Sequence, residues 1–141
     1  MKLATYKDGS RDGQLVVVSR DLSMAHYATG IATRMQQLLD DWPFIAPQLR
    51  DLYETLNNGK ARHAFPFDPA LCMAPLPRAF QWLDASAYLS HAEIIRKARG
   101  AAMPADAKKE PMMYQGNSDW FIGSCDPIQA GSEDWGIDIE A

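Results

Sequence analysis

The apolar positions at the start of the chain form two short β-prone runs, "KLATY" and "QLVVVS", separated by "KDGSRDG". Two Asp-Gly pairs in that spacer supply the chemistry that tight turns favour, so the spacing predicts a β-hairpin. The next stretch, "DLSMAHYATGIA", has no clear period and is interrupted by Gly30. A helical period follows. Met35, Leu38, Leu39 and Trp42 recur on one face, with Thr33 as the predicted cap and Pro43 as the stop. Ile45, Leu49, Leu52, Tyr53 and Leu56 make a second stripe. Pro47 suits its first turn, and Asn58-Gly59 suits its C-terminus. Both stripes read as faces for core packing.

Downstream the pattern changes. Pro66, Pro69, Pro75 and Pro77 crowd the segment "ARHAFPFDPALCMAPLPRAFQW". Such proline density gives stiff, extended chain, which predicts a connector with a domain boundary near Pro77. "WLDASAYLSHAEIIRKARGAAM" reads as a loop entering a helix, "PADAKKEP" as a polar loop, and "MMYQGNSDWFIGSCDPIQ" as strand and turn. In "WGIDIEA" the alternation of Trp135, Ile137 and Ile139 with Asp138 and Glu140 predicts a strand.

Composition narrows the function classes. The 141 residues suit one domain, or a small domain with part of another. A hydrophobic fraction of 47% with 23% charged residues is ordinary for a globular chain. The net charge of -4 argues against a nucleic-acid or anionic-membrane surface. The densest basic cluster, "IIRKARG", is too short for a phosphate track. Cys72 and Cys125 lack the spacing of a zinc site and read as free thiols of a reduced compartment. No apolar leader segment opens the chain, and "LVVV" is far short of a membrane span, so a cytoplasmic location is expected.

Candidate chemistry concentrates in "DASAYLSHAE". His91 can serve as a general base if a carboxylate orients it, and on a helix Tyr88 and His91 share a face. Glu93, two residues on, would point elsewhere. The plainer alternative is a helix start, with Asp84 or Ser86 as cap and His91 at the surface. His26 and His63 lack any carboxylate arrangement. "PMMYQGNSDWF" could supply a binding loop through Tyr114, Asn117 and Ser118, with Gly116 permitting close approach; otherwise it is a strand running into a turn. Asp138 and Glu140 share a strand face and could begin a Mg²⁺ or Ca²⁺ site, although strand faces commonly carry such pairs. Neither a nucleophile elbow nor a Gly-rich phosphate loop is present.

Taken in order, "MKLATYKDGSRDGQLVVVSRDLS", "FPFDPALCMAPLPRAFQW", "DASAYLSHAEIIRKARGA", "PMMYQGNSDWFIG" and "WGIDIEA" resemble the fumarylacetoacetate hydrolase family, in its bacterial form with an added N-terminal domain. The resemblance implies that His91, in Tyr88-Leu-Ser-His91, activates water and that Glu93 is the local candidate to orient it. It implies substrate contacts from Tyr88, from Tyr114 in Pro111-Met-Met-Tyr114, and from Arg99. It implies a divalent cation (Mg²⁺, Ca²⁺ or Mn²⁺) held by Glu140, the first glutamate of an E-x-E motif, and by Asp84. The second glutamate would follow Ala141, so the motif is expected to be cut between its two glutamates. The implied reaction is hydrolysis of a carbon–carbon bond in a 1,3-diketo acid of the acylpyruvate type, as in aromatic compound catabolism. The implied assembly is a homo-oligomer, such as a dimer.

The expected fold class is α+β. Residues 1–77 form a small accessory domain of β-hairpin and helical hairpin, and residues 78–141 begin a β-rich catalytic domain. With one glutamate of the pair, the isolated chain is expected to be inactive. The alternative reading is a non-catalytic interaction or dimerisation module that complements a separate chain.

Overall fold

The computed structural model describes residues 1–136. It divides into two compact units: Met1–Pro77 together with residues 122–136, and Arg78–Phe121. Three α-helices and two antiparallel sheets among the described residues make the fold α+β.

The hairpin forms where the sequence pattern places it. Strand β1 (Lys2–Tyr6) pairs antiparallel with β2 (Gln14–Val18), with Leu3 opposite Val17 and Tyr6 opposite Gln14. In the loop between them, the Asp8 carboxylate accepts from the Ser10 amide and hydroxyl and from Arg34 Nη1. Ser10 first, then Arg34, holds its carboxyl below the usual range. Gly13 has φ +61°, and a Cβ there would lie 2.6 Å from the Tyr6 carbonyl oxygen. Only glycine suits both demands. The stretch without a clear period becomes β3 (Met24–Tyr27), antiparallel to β2, and Gly30 falls in the turn after it.

Helices α1 (Met35–Asp40) and α2 (Trp42–Asn57) follow, with four departures from expectation. Thr33 does not cap α1; the capping position is Arg34, without a side-chain bond. Thr33 instead donates its amide and hydroxyl to Gln37 Oε1, while its carbonyl accepts from Leu15 N on β2. Pro43 does not stop a helix but helps start one. It occupies the first turn of α2, where a missing N–H costs nothing. Because α2 begins that early, Pro47 is inside the helix rather than in its first turn. The predicted first stripe also splits. Met35 and Leu38 are buried, whereas Leu39 and Trp42 remain 46% and 41% exposed. The end of α2 matches the pattern: Gly59 (φ +67°) donates to Leu56 O and Lys60 N donates to Thr55 O, which closes the helix in a Schellman motif.

Strand β2 is buried on both faces, which is why "LVVV" does not alternate. Leu15 and Val17 pack with Met35, Leu38, Ile45 and Leu49 of the helical layer. Val16 and Val18 pack on the other side with Tyr6, Ala25 and Cys72. The cover on that side is the proline-rich segment, read from its composition as a stiff connector, which here also packs on the sheet. Its β4 (Phe65–Pro66) pairs with β3. A 3₁₀ turn, Pro69–Leu71, follows, in which Asp68 accepts from Ala70 N. The chain then reaches β1: Lys7 N donates to Leu71 O, Met73 N donates to Thr5 O, and Cys72 bridges to Tyr6. The segment thus crosses from the β3 edge to the β1 edge and closes the sheet. Extended proline-rich chain suits this edge role, because a proline need not donate there.

Tyr6 lies beneath the crossing at 1% exposure. Its hydroxyl accepts from Asp68 N at 2.7 Å, and its ring stacks on Phe67 and meets Tyr27 edge-on. Burial raises its phenol pKa. The replacement Tyr6→Phe keeps the ring and orphans the Asp68 amide. It should lower unfolding stability by about 1–3 kcal/mol, read from the midpoint of urea denaturation; an unchanged midpoint contradicts the closure role of this bond.

The β2–β3 turn carries a polar cluster of similar economy. Asp21 Oδ1 accepts from the Ser19 hydroxyl and from the Ser23 hydroxyl and amide. The serine hydroxyls, Ser19 first, hold the carboxyl down to about 2. A folded-state value below the unfolded one means that the cluster contributes stability above the ordinary aspartate pKa, and that the contribution is lost as pH falls toward 2. Carboxyl-carbon NMR should give a midpoint near 2 for Asp21 in the native chain, and Ser19→Ala should move it upward.

Candidate functional site

All the described residues that the sequence marks for catalysis or binding fall in the unit Arg78–Phe121. Part of the segment expected to be a loop is strand β5 (Leu83–Ser86), which pairs antiparallel with β6 (Met112–Gln115). Helix α3 (Leu89–Ala98) lies between them in sequence. Its capping position is Tyr88, with no side-chain cap, so neither Asp84 nor Ser86 caps it. It ends at Arg99 with Gly100 (φ +64°), where Ala101 N and Gly100 N donate to Arg96 O and Lys97 O.

This frame brings some candidates together. Asp84 on β5 is the direct cross-strand partner of Tyr114 on β6. Residues so paired have Cβ atoms about 4.5–5.5 Å apart, so the Asp84 carboxylate and the Tyr114 ring share a sheet face. Tyr88 and His91 fall three apart at the start of α3, and both are exposed. Other candidates stay separate. Glu93, two residues beyond His91, projects from another side of α3. Arg99 ends the helix, about 12 Å along its axis from His91 at 1.5 Å per residue. Glu140, with Asp138, lies outside the described residues.

The sequence reading missed Trp82. It lies two residues before Asp84, and Gly116, opposite it, two after Tyr114, so the period of two extends the same face by one further pair. Gly116 N donates to Trp82 O, continuing the ladder. The Trp82 ring meets Tyr114 edge-on at 6.2 Å and covers Gly116 so closely that a Cβ there would lie 2.5 Å from it. The space over Gly116, which the sequence could assign to a ligand, is taken by this indole. Asn117 and Ser118 likewise serve the turn: Asn117 Oδ1 accepts from Asp119 N, and Ser118 O accepts from Ala79 N.

Among the described residues, no three His, Cys, Asp or Glu side chains converge as metal ligands. Mg²⁺ and Ca²⁺ take six or more oxygen ligands, and Asp84 is the only carboxylate that β5 and β6 supply. The described donor set does not by itself fit the expected cation. In the other unit, a groove of about 390 Å³ runs along Ser19, Arg20, Asp21, Met24, Leu56 and Asn57. Its polar groups are engaged locally, with Arg20 N donating to Asn57 Oδ1. No helix among the described residues is long and apolar enough to cross a membrane.

If Trp82 and Gly116 hold the Asp84–Tyr114 face, Gly116→Ala should displace the indole. The near-ultraviolet circular dichroism band should weaken and unit Arg78–Phe121 should lose protection from proteolysis; an unaltered band contradicts the packing.

No curated protein matches the chain. The family model described as Fumarylacetoacetase N-terminal domain 2 matches residues 1–78, the hairpin, helices and closing segment of the first unit. The chain therefore belongs to the fumarylacetoacetate hydrolase family, as an N-terminal part of the kind that carries this domain.

Proposed function

We propose that this chain supplies the accessory domain and the base-bearing segment of an enzyme that hydrolyses a carbon–carbon bond in a 1,3-diketo acid of the acylpyruvate type. The observation that carries this reading is the shared face of Asp84 and Tyr114, just downstream of the matched family domain. His91 is exposed at the start of α3, where it can take a proton from water. The water oxygen then adds to the carbonyl carbon. The carbon–carbon bond breaks, its electron pair leaves as an enolate, and a proton returns to carbon. Tyr88 and Tyr114 offer hydroxyl donors to the substrate's oxygens, and Arg99 suits its carboxylate.

The described donors are too few for a divalent cation, so the reading makes this chain inactive without further carboxylates. Acylpyruvate with Mg²⁺, Mn²⁺ or Ca²⁺ should show no turnover above background with the 141-residue chain. In NMR titration, weak acylpyruvate binding should perturb Tyr88, His91 and Tyr114. Metal-dependent turnover overturns the inactivity, and perturbations confined to other residues overturn the site.

A second reading has its own observation. In Arg78–Phe121 only Ala92 is buried, while Phe80, Ile94 and Trp120 are 84%, 69% and 70% exposed. Apolar surface of this kind favours a non-catalytic interaction module. Light scattering separates the two: a stable dimer without acylpyruvate binding favours the module.

A further inference from the structure

The segment from Ile122 packs in the first unit through one tight turn. Asp126 N donates to Gly123 O, and Gly123 N donates back to Asp126 Oδ2, so residues 123–126 form a closed β-turn. Lys7 Nζ, just past β1, donates to Asp126 Oδ1 at 2.6 Å and to Ala70 O at 3.1 Å. Gly123 is pressed against the Cys72 carbonyl with no room for a Cβ. Cys125 is an exposed residue of this turn, and Cys72, in the closing segment itself, is buried with 8% of its surface exposed.

We infer that Cys72 and Cys125 form a redox-sensitive latch, in which an intramolecular disulfide fastens the 123–126 turn to the closing segment of the sheet. Cys125 reacts first because it is exposed. Its thiolate attacks a low-molecular-weight disulfide, forming a mixed disulfide and releasing one thiolate. The Cys72 thiol loses its proton and attacks the Cys125 sulfur, releasing the second thiolate. Two protein thiols are oxidised and one external disulfide is reduced to two thiols. Burial, then the neighbouring Cys125, pushes the Cys72 thiol up, which keeps it from reacting with external disulfides on its own. A disulfide needs Cα atoms about 4.4–6.8 Å apart, and the seating of Gly123 on the Cys72 carbonyl brings the turn that carries Cys125 against the backbone of Cys72. The bond would close a loop that contains the whole unit Arg78–Phe121 and fix the segments on both sides of it.

The test treats the 141-residue chain with oxidised glutathione, blocks remaining thiols and maps peptides without reduction. The expected product is a monomer lighter by two hydrogens, with Cys72 joined to Cys125 and a higher thermal midpoint than the reduced chain. Cys125→Ser should leave Cys72 unmodified under native conditions and abolish the thermal shift. A persistent glutathione adduct on Cys125 with Cys72 still alkylatable overturns the proposal, as does a Cys125-linked dimer as the main product. A disulfide without a thermal shift overturns the latch role.

Discussion

The first unit depends on a closed sheet, and the closure depends on Tyr6. The antiparallel array β1–β2–β3 has two edges and two faces to cover. The helical layer covers one face through Leu15 and Val17. The proline-rich segment covers the other, and in passing from β3 to β1 it caps both edges. Tyr6 is the fixed point of that crossing: its ring fills the space under Phe65 and Phe67, and its hydroxyl accepts the Asp68 amide at the bend. An aromatic residue with one polar tip is suited to a site that is apolar below and needs one acceptor above.

Closure has a consequence for what flanks it. Thr5 on β1 donates its hydroxyl to Pro75 O, and Lys7 just beyond β1 holds Asp126. The chain on both sides of Arg78–Phe121 is therefore anchored around one strand. The Lys7–Asp126 pair is partly exposed, so solvent screening keeps its contribution small. The seating of Gly123 on the Cys72 carbonyl supplies the steric part of the anchor.

Much of this was legible in the sequence, and for local reasons. The Asp-Gly spacer, the stripe of Ile45, Leu49, Tyr53 and Leu56, and the Asn58-Gly59 ending are signals whose physics is contained within a few residues. What was not legible depended on partners far along the chain. Thr33 is drawn from capping by Leu15 on β2, and the prolines near Pro69 become a sheet cover only because Tyr6 lies beneath them. Pro43 reads as a stop in the sequence, whereas the same residue type also suits the first turn of the next helix, where it stands. In the candidate site, Tyr88, His91 and Tyr114 are singled out by motif alone. The pairing of Asp84 with Tyr114 needed the register of β5 on β6, and the role of Trp82 followed from that register.

The two units should differ sharply in self-sufficiency. The first has a double core around β2, while the second buries only Ala92. Native-state hydrogen exchange tests this contrast directly, because amide protection reports the free energy of opening each segment. The account predicts that the amides of Leu15–Val18 exchange only through global unfolding, and that those of α3, β5 and β6 exchange at least about a hundredfold faster. Equal protection of the two units would contradict it.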